Sequence, residues 1–194
     1  MIVDSAPLHA WVDESAHLER GLYILAAAVA PASDSNLERS RAALASQLLR
    51  GQQRLHWRDE RKPQRRMSLV ESVAGLELAS IVIVATQVDT RKQDERARRK
   101  CLEVLLDYAT FGGVEHLWLE SRGAKDAKDR EMVAALRSRG ALDPSVRVDF
   151  ARPVDDPMLW IPDVVAGAAG ASRAGDDRYR AVLSAALIEH EFEL

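Results

Sequence analysis

Residues 21–30 read GLYILAAAVA, a run with no charged side chain. It is about half the roughly 20 residues needed to cross a bilayer. As a strand it has no polar side, so it must be covered on both faces. A second apolar segment, LHAWVD at 8–13, precedes it, and only the polar stretch ESAHLER lies between them. That spacing predicts an antiparallel hairpin, with ESAHLER as its turn. A sheet built around such a strand needs a layer on each side, which narrows the fold to α/β with helices on both faces.

The rest of the chain supplies those layers. A helix is predicted from Asn36 to Arg50, with Ser35 and Glu38 at capping-box spacing, a Leu37, Leu44, Leu48 stripe and Gly51 as its end. The basic stretch RLHWRDERKPQRR and a short helix from Gln64 to Ala74 follow, then a third strand from Ser80 to Val88. A helix from Gln93 to Tyr108 leads through Gly112-Gly113 to a fourth strand, VEHLWLES. After the helix DREMVAALRSR comes VRVDFA, whose strict alternation suits a half-exposed edge strand. A helix opening near Pro162 and a last one from Asp177 to Ile188 precede an acidic tail. The expected fold is therefore one α/β domain over residues 1–194. It has a mixed five-stranded sheet, the first strands antiparallel and the later ones parallel, with a helical insertion between strands 2 and 3.

Acids fall at distinctive places in that frame. Side chains two apart in a strand share a face, so Trp11 pairs with Asp13 and Trp118 with Glu120. Each strand thus offers an aromatic and then an acid towards its end. A third acid, Asp163, stands where the late helix opens and can reach back over the sheet.

The segments WVDES, LWLES and LWIPDVVAGA, taken together, resemble the RNase H-like fold, in particular the carboxylate arrangement of Holliday-junction resolvases. More narrowly, the chain is similar over almost its whole length to the domain-of-unknown-function 3800 family. Members of that family open on a DES-type strand and have a Q-x-A-D-like helix start. Here Ile161-Pro162 stands where that pattern has a polar residue and alanine. The resemblance implies the fold and a candidate site at Asp13, Glu120 and Asp163.

Such a trio suits phosphodiester hydrolysis. That reaction needs an activated water, charge stabilisation on the non-bridging oxygens and help for the leaving oxygen. Two Mg²⁺ or Mn²⁺ ions supply all three, and carboxylates are the hard ligands they prefer. Asp13, on a central strand, is expected to bridge the ions, with Glu120 and Asp163 completing their shells. Without a cation, at least one of the clustered acids should have a raised pKa. The alternative is three turn or cap carboxylates with no shared role.

Assisting residues also have two readings. Glu14 is a fourth ligand or part of the hairpin turn. His56 positions a phosphate or takes a proton, or is packed beside Trp57. Asp126 and Asp129 extend the site or favour a helix N-terminus. Arg58, Arg61 and Arg122 are candidate phosphate-binding residues. Trp57 and Trp160 are bases' stacking partners or simply core.

Charge and composition set the remaining bounds. A net charge of −3 gives no global pull towards nucleic acid, but basic residues cluster at 50–66 and again at Arg91, Lys92, Arg96, Arg98, Arg99 and Lys100. Such clusters hold phosphates or form a solvated face. The single cysteine, Cys101, sits at helical spacing with apolar residues and reads as buried. There is no phosphate-loop glycine pattern, no Ser-His-Asp or Cys-His set and no secretory signal at the start. The expectation is a cytoplasmic, metal-dependent nuclease with no membrane partner. Its rival is a non-catalytic module of the same fold that binds nucleic acid or a protein partner through residues 50–66. The type of nucleic acid and the oligomeric state stay open.

Overall fold

A computed structural model describes residues 6–76, 78–88 and 93–194. Its strands β1 (Leu8–His17), β2 (Leu22–Pro31), β3 (Ala79–Thr86), β4 (Val114–Glu120), β5 (Arg147–Ala151) and β6 (Leu187–Glu193) form one mixed sheet. The order across it is β5-β4-β1-β2-β3-β6. Strand β2 runs antiparallel to both neighbours, whereas β4 is parallel to β1, β5 to β4 and β6 to β3.

The charge-free strand sits near the middle, as its composition demands. Ile24, Ala26 and Ala28 of β2 face a core shared with α1 (Asp34–Ala45), α2 (Pro63–Ala74), α5 (Trp160–Ser172) and α6 (Arg178–Leu183). Tyr23, Leu25 and Ala27 face the opposite core, under α3 (Asp94–Phe111) and α4 (Asp126–Ser138). Ile24 and Leu25 are both fully buried, and each such side chain contributes roughly 1.5–3 kcal/mol of burial free energy. Cys101 is buried in α3, where desolvation pushes its thiol up to about 12. No helix among the described residues is long and apolar enough to cross a membrane.

Three expectations are corrected. The sheet has six strands rather than five: the predicted last helix stops at Leu183, and LIEHEFE forms β6 beside β3. Its acids are neutralised from the adjoining helices, Glu189 by Arg173 at 3.1 Å and by Arg180, and Glu191 by Arg173 at 2.8 Å. Second, β1 continues through Glu14, Ser15, Ala16 and His17, which pair with Leu25 to Leu22. The turn is the short 3-10 segment Leu18–Arg20, closed by Gly21 at φ 65°. Third, α1 spans Asp34–Ala45, earlier than predicted at both ends, and Gly51 belongs to a later turn.

Candidate active site

The parallel pairing of β1 with β4 sets the site. Trp11 lies opposite Trp118 and Val12 opposite Leu119, so the next step along both strands brings Asp13 beside Glu120. Glu120 is the strongest electrostatic neighbour of the Asp13 carboxyl. Helix α5 crosses β1 and β2 on the same face and carries Asp163 in its first turn. Three elements far apart in sequence thus bring their acids together. Asp13 is only 8% exposed.

Two of the three carboxylates are held by backbone N–H groups. The Glu14 N–H donates to Asp13 Oδ1 at 2.7 Å. The Trp57 N–H donates to Asp163 Oδ2 at 2.6 Å, while His56 Nε2 lies 3.9 Å from Asp163 Oδ1. Trp57 reaches this position because Gly167 has no side chain: a Cβ there would lie 2.2 Å from the indole. His56 Nδ1 is buried without a hydrogen bond, 3.4 Å from Asp59 Oδ2.

The electrostatics follow from this crowding. Burial, then Glu120, Asp163 and Glu14, hold the Asp13 carboxyl well above the usual range. Burial also raises Glu120, partly offset by its hydrogen bond with Asp13 and by Arg54. Asp163 is raised by burial too, against the opposing pull of the Trp57 N–H, His56 and Arg54. Anions packed out of water favour protonation unless a cation is supplied.

The other predicted residues divide between two faces. Glu14 is neither a turn residue nor part of the trio's side of the sheet. It forms an ion pair with Arg98 of α3, which also binds Asp129 at 2.8 Å. Arg122 belongs to that network, 2.8 Å from Asp129 and 3.1 Å from Glu95, so its guanidinium is committed to protein carboxylates. Asp126 accepts from the Ser121 hydroxyl at 2.7 Å and the Arg122 N–H at 2.6 Å, fastening the turn into α4. Trp57 and Trp160 are core residues. Of the second basic cluster, Arg98 is buried, Arg96, Arg99 and Lys100 are exposed, and Arg91 and Lys92 lie outside the described residues.

Next to the trio lies an open cleft of about 520 Å³, bounded by the end of β1, helix α5 and the segment around Trp57. Asp163, His56 and Arg58 line it, whereas Arg61 is exposed elsewhere. The cleft is also lined by Arg66, from the basic cluster at 50–66, and by two residues that sequence reasoning missed, His17 and Arg20. Arg20 is separated from the basic insertion by about 30 positions, and only the fold of β1 against α5 joins them.

Carboxylate oxygens are the donors that Mg²⁺ and Mn²⁺ select. As the side chains stand, no group of three or more His, Cys, Asp or Glu among the described residues is disposed to hold a metal ion. No protein-family model matches the chain, and neither a curated protein nor a solved structure is found to match it.

Proposed function

We propose that the protein is a divalent-metal-dependent nuclease of RNase H-like fold, hydrolysing phosphodiesters of DNA or RNA. The observation that carries this reading is the convergence of Asp13, Glu120 and Asp163 from β1, β4 and α5 around a nearly buried aspartate whose strongest electrostatic neighbours are carboxylates. Such a cluster is unfavourable in isolation and favourable around Mg²⁺ or Mn²⁺. The mixed sheet, with β4 and β5 parallel to β1, supports the fold assignment.

In this reading Asp13, Glu120 and Asp163 hold the metal. Bound ions would neutralise the carboxylates, polarise the scissile phosphate and lower the pKa of the attacking water. The chain's own contribution is preorganisation. Sheet hydrogen bonding fixes Asp13, the Trp57 N–H fixes one oxygen of Asp163, and His56 stands beside the same carboxylate at the cleft wall, placed to move a proton to or from a bound phosphate ester.

The test is calorimetric titration of Mn²⁺ into the wild type and Asp13→Asn, followed by cleavage assays on labelled DNA and RNA. Binding and cleavage that both disappear in the variant are expected. A wild type that neither binds Mn²⁺ nor cuts either polymer refutes the proposal. The rival non-catalytic module draws on Arg50, Arg54, Arg58, Arg61 and Lys62, all exposed. It requires nucleic-acid binding with no metal uptake at all.

A further inference from the structure

We infer that the cleft beside Asp163 is a seat for a single nucleic-acid strand, with Arg20, Arg58 and Arg66 as its phosphate contacts. The inference deepens the nuclease reading and rests on it for the identity of the polymer.

The cleft's charge is the first argument. Arg20, Arg58 and Arg66 come from two separate segments and line the same cleft. Arg20 and Arg58 are exposed and make no ion pair among the described residues. Both act electrostatically on His17, which fixes them at the same end of β1. Arg66 stacks its guanidinium 4.7 Å from the centre of the Trp57 ring and donates from Nε to the Glu60 carbonyl at 2.6 Å. The same side chain lines the cleft. The cleft's carboxylates have partners of their own: Glu14 has Arg98, Asp163 has the Trp57 N–H and Asp176 has Arg178 at 2.7 Å.

Shape is the second argument. A volume of about 520 Å³ falls in the range of roughly 300–1,000 Å³ typical of small-ligand clefts, room for a short part of one strand. Gly167, Gly170, Ala171 and Ala174 add small uncharged residues to the lining, and His17 packs so close that a Cβ at Gly170 would come 2.6 Å from its Nε2. Cations and small neutral residues in one cleft suit a strand, whose phosphates take the cations while sugars and bases lie against the neutral surface. Asp163 lies in the same cleft, so a strand held there runs towards the carboxylates.

The experiment is fluorescence anisotropy in EDTA with labelled oligo-dT and oligo-U of about 12 nucleotides, within the site sizes of single-strand binders, and a labelled duplex of equal length. The wild type, Arg20→Gln/Arg58→Gln, Arg61→Gln/Lys62→Gln and Asp13→Asn are compared, with thermal melts to verify folding. The wild type is expected to bind at least one single strand more tightly than the duplex. The cleft pair should lose about tenfold or more in affinity, and the slope of log K against log salt should fall by about 1.4, or about 0.7 for each cation removed. The Arg61/Lys62 pair removes the same charge outside the cleft and should change the slope much less. Asp13→Asn should bind at least as well as wild type.

Failure of the two proposals can be told apart. Equal losses in the two double variants, no loss in the cleft pair, duplex binding as tight as single-strand binding, or no binding to either strand overturns the cleft assignment, whatever Mn²⁺ does. Metal-independent binding that needs Arg20 and Arg58 upholds it even where the Mn²⁺ titration has refuted nuclease chemistry.

Discussion

Asp13 and Glu14 are neighbours in β1, yet their carboxylates act on opposite sides of the sheet. Asp13 points to the α5 side, against Glu120 and Asp163. Glu14 points to the α3 side and is taken by the Arg98 guanidinium. Period-two alternation in a continuous strand makes this unavoidable. Burial raises both carboxyls, but Arg98 and Arg122 pull Glu14 back down whereas Glu120 and Asp163 push Asp13 further up.

The first prediction concerns Asp13. Its pKa is raised on folding, so the folded state holds the proton more tightly than the unfolded chain does. That contribution to stability is present below the unfolded value of about 3.9 and is lost as pH rises towards the folded value. Asp13→Asn removes it. In EDTA the variant should melt above wild type at about pH 7.5, by about 2–4 °C for each kcal/mol relieved, and the gap should narrow at about pH 4. Scanning calorimetry at the two pH values checks this. A variant that melts lower at neutral pH would contradict the description of Asp13 as repelled by its neighbours.

Glu14's partner predicts the reverse. The Arg98 side chain is 3% exposed and that of Asp129 4%. Arg98→Met leaves Asp129 and Glu14 without their main cation, and breaking a buried pair in this way costs about 3–5 kcal/mol. Urea unfolding should show that loss in the midpoint. Glu14→Gln should cost less, since Arg98 keeps Asp129 and Glu14 itself is 22% exposed.

How far the sequence carried these assignments depends on the range of the interaction. Period-two patterning is local, so it correctly placed Trp11 with Asp13 and Trp118 with Glu120, and the charge-free β2 announced its own two-sided burial. The α/β class and the mixed strand directions followed. Where β1 ended was not legible, because polar residues 14–17 look like a turn until Arg98, 84 positions away, is seen to hold Glu14. The strand β6 was hidden for a related reason. Its glutamates suggested a solvated tail, and only Arg173 and Arg180, brought alongside by α5 and α6, make them compatible with a sheet. Arg122 resembled a free cation in ESRGAK, whereas its partners Glu95 and Asp129 lie on two helices.

The glycines of α5 give a graded test of site rigidity. A Cβ at position 167 would strike the centre of the Trp57 indole, a rigid body whose backbone N–H holds Asp163. A Cβ at 170 meets the tip of His17, which can rotate away. Gly167→Ala should therefore destabilise by about 1–3 kcal/mol, the usual cost of overpacking, and Gly170→Ala by less. Gly167→Ala should also weaken Mn²⁺ uptake through Asp163. Paired urea and calorimetric titrations distinguish the two, and equal effects would show that Trp57 is not the rigid support of Asp163.

The sixth strand makes the last prediction. Strand β3 pairs with β2 on one side and, from Ser80 to Thr86, with β6 on the other. Its interior, Ile81 to Ala85, is apolar on both faces. Truncation after Ala186 would strip the ladder from one side of that strand, leave Arg173 and Arg180 without Glu189, and remove Phe192 from the core under α3. An apolar edge with unpaired backbone groups is a template for association. The truncated chain should melt well below the full one and elute partly as oligomers in size-exclusion chromatography with light scattering, increasingly so at higher protein concentration. Glu189→Gln, which keeps the ladder and removes only the ion pairs, should stay in the oligomeric state of the full chain and lose no more than about 1 kcal/mol. A truncated protein that matches the full chain in both melting and elution would mean that residues 187–193 are the dispensable acidic tail their composition suggests.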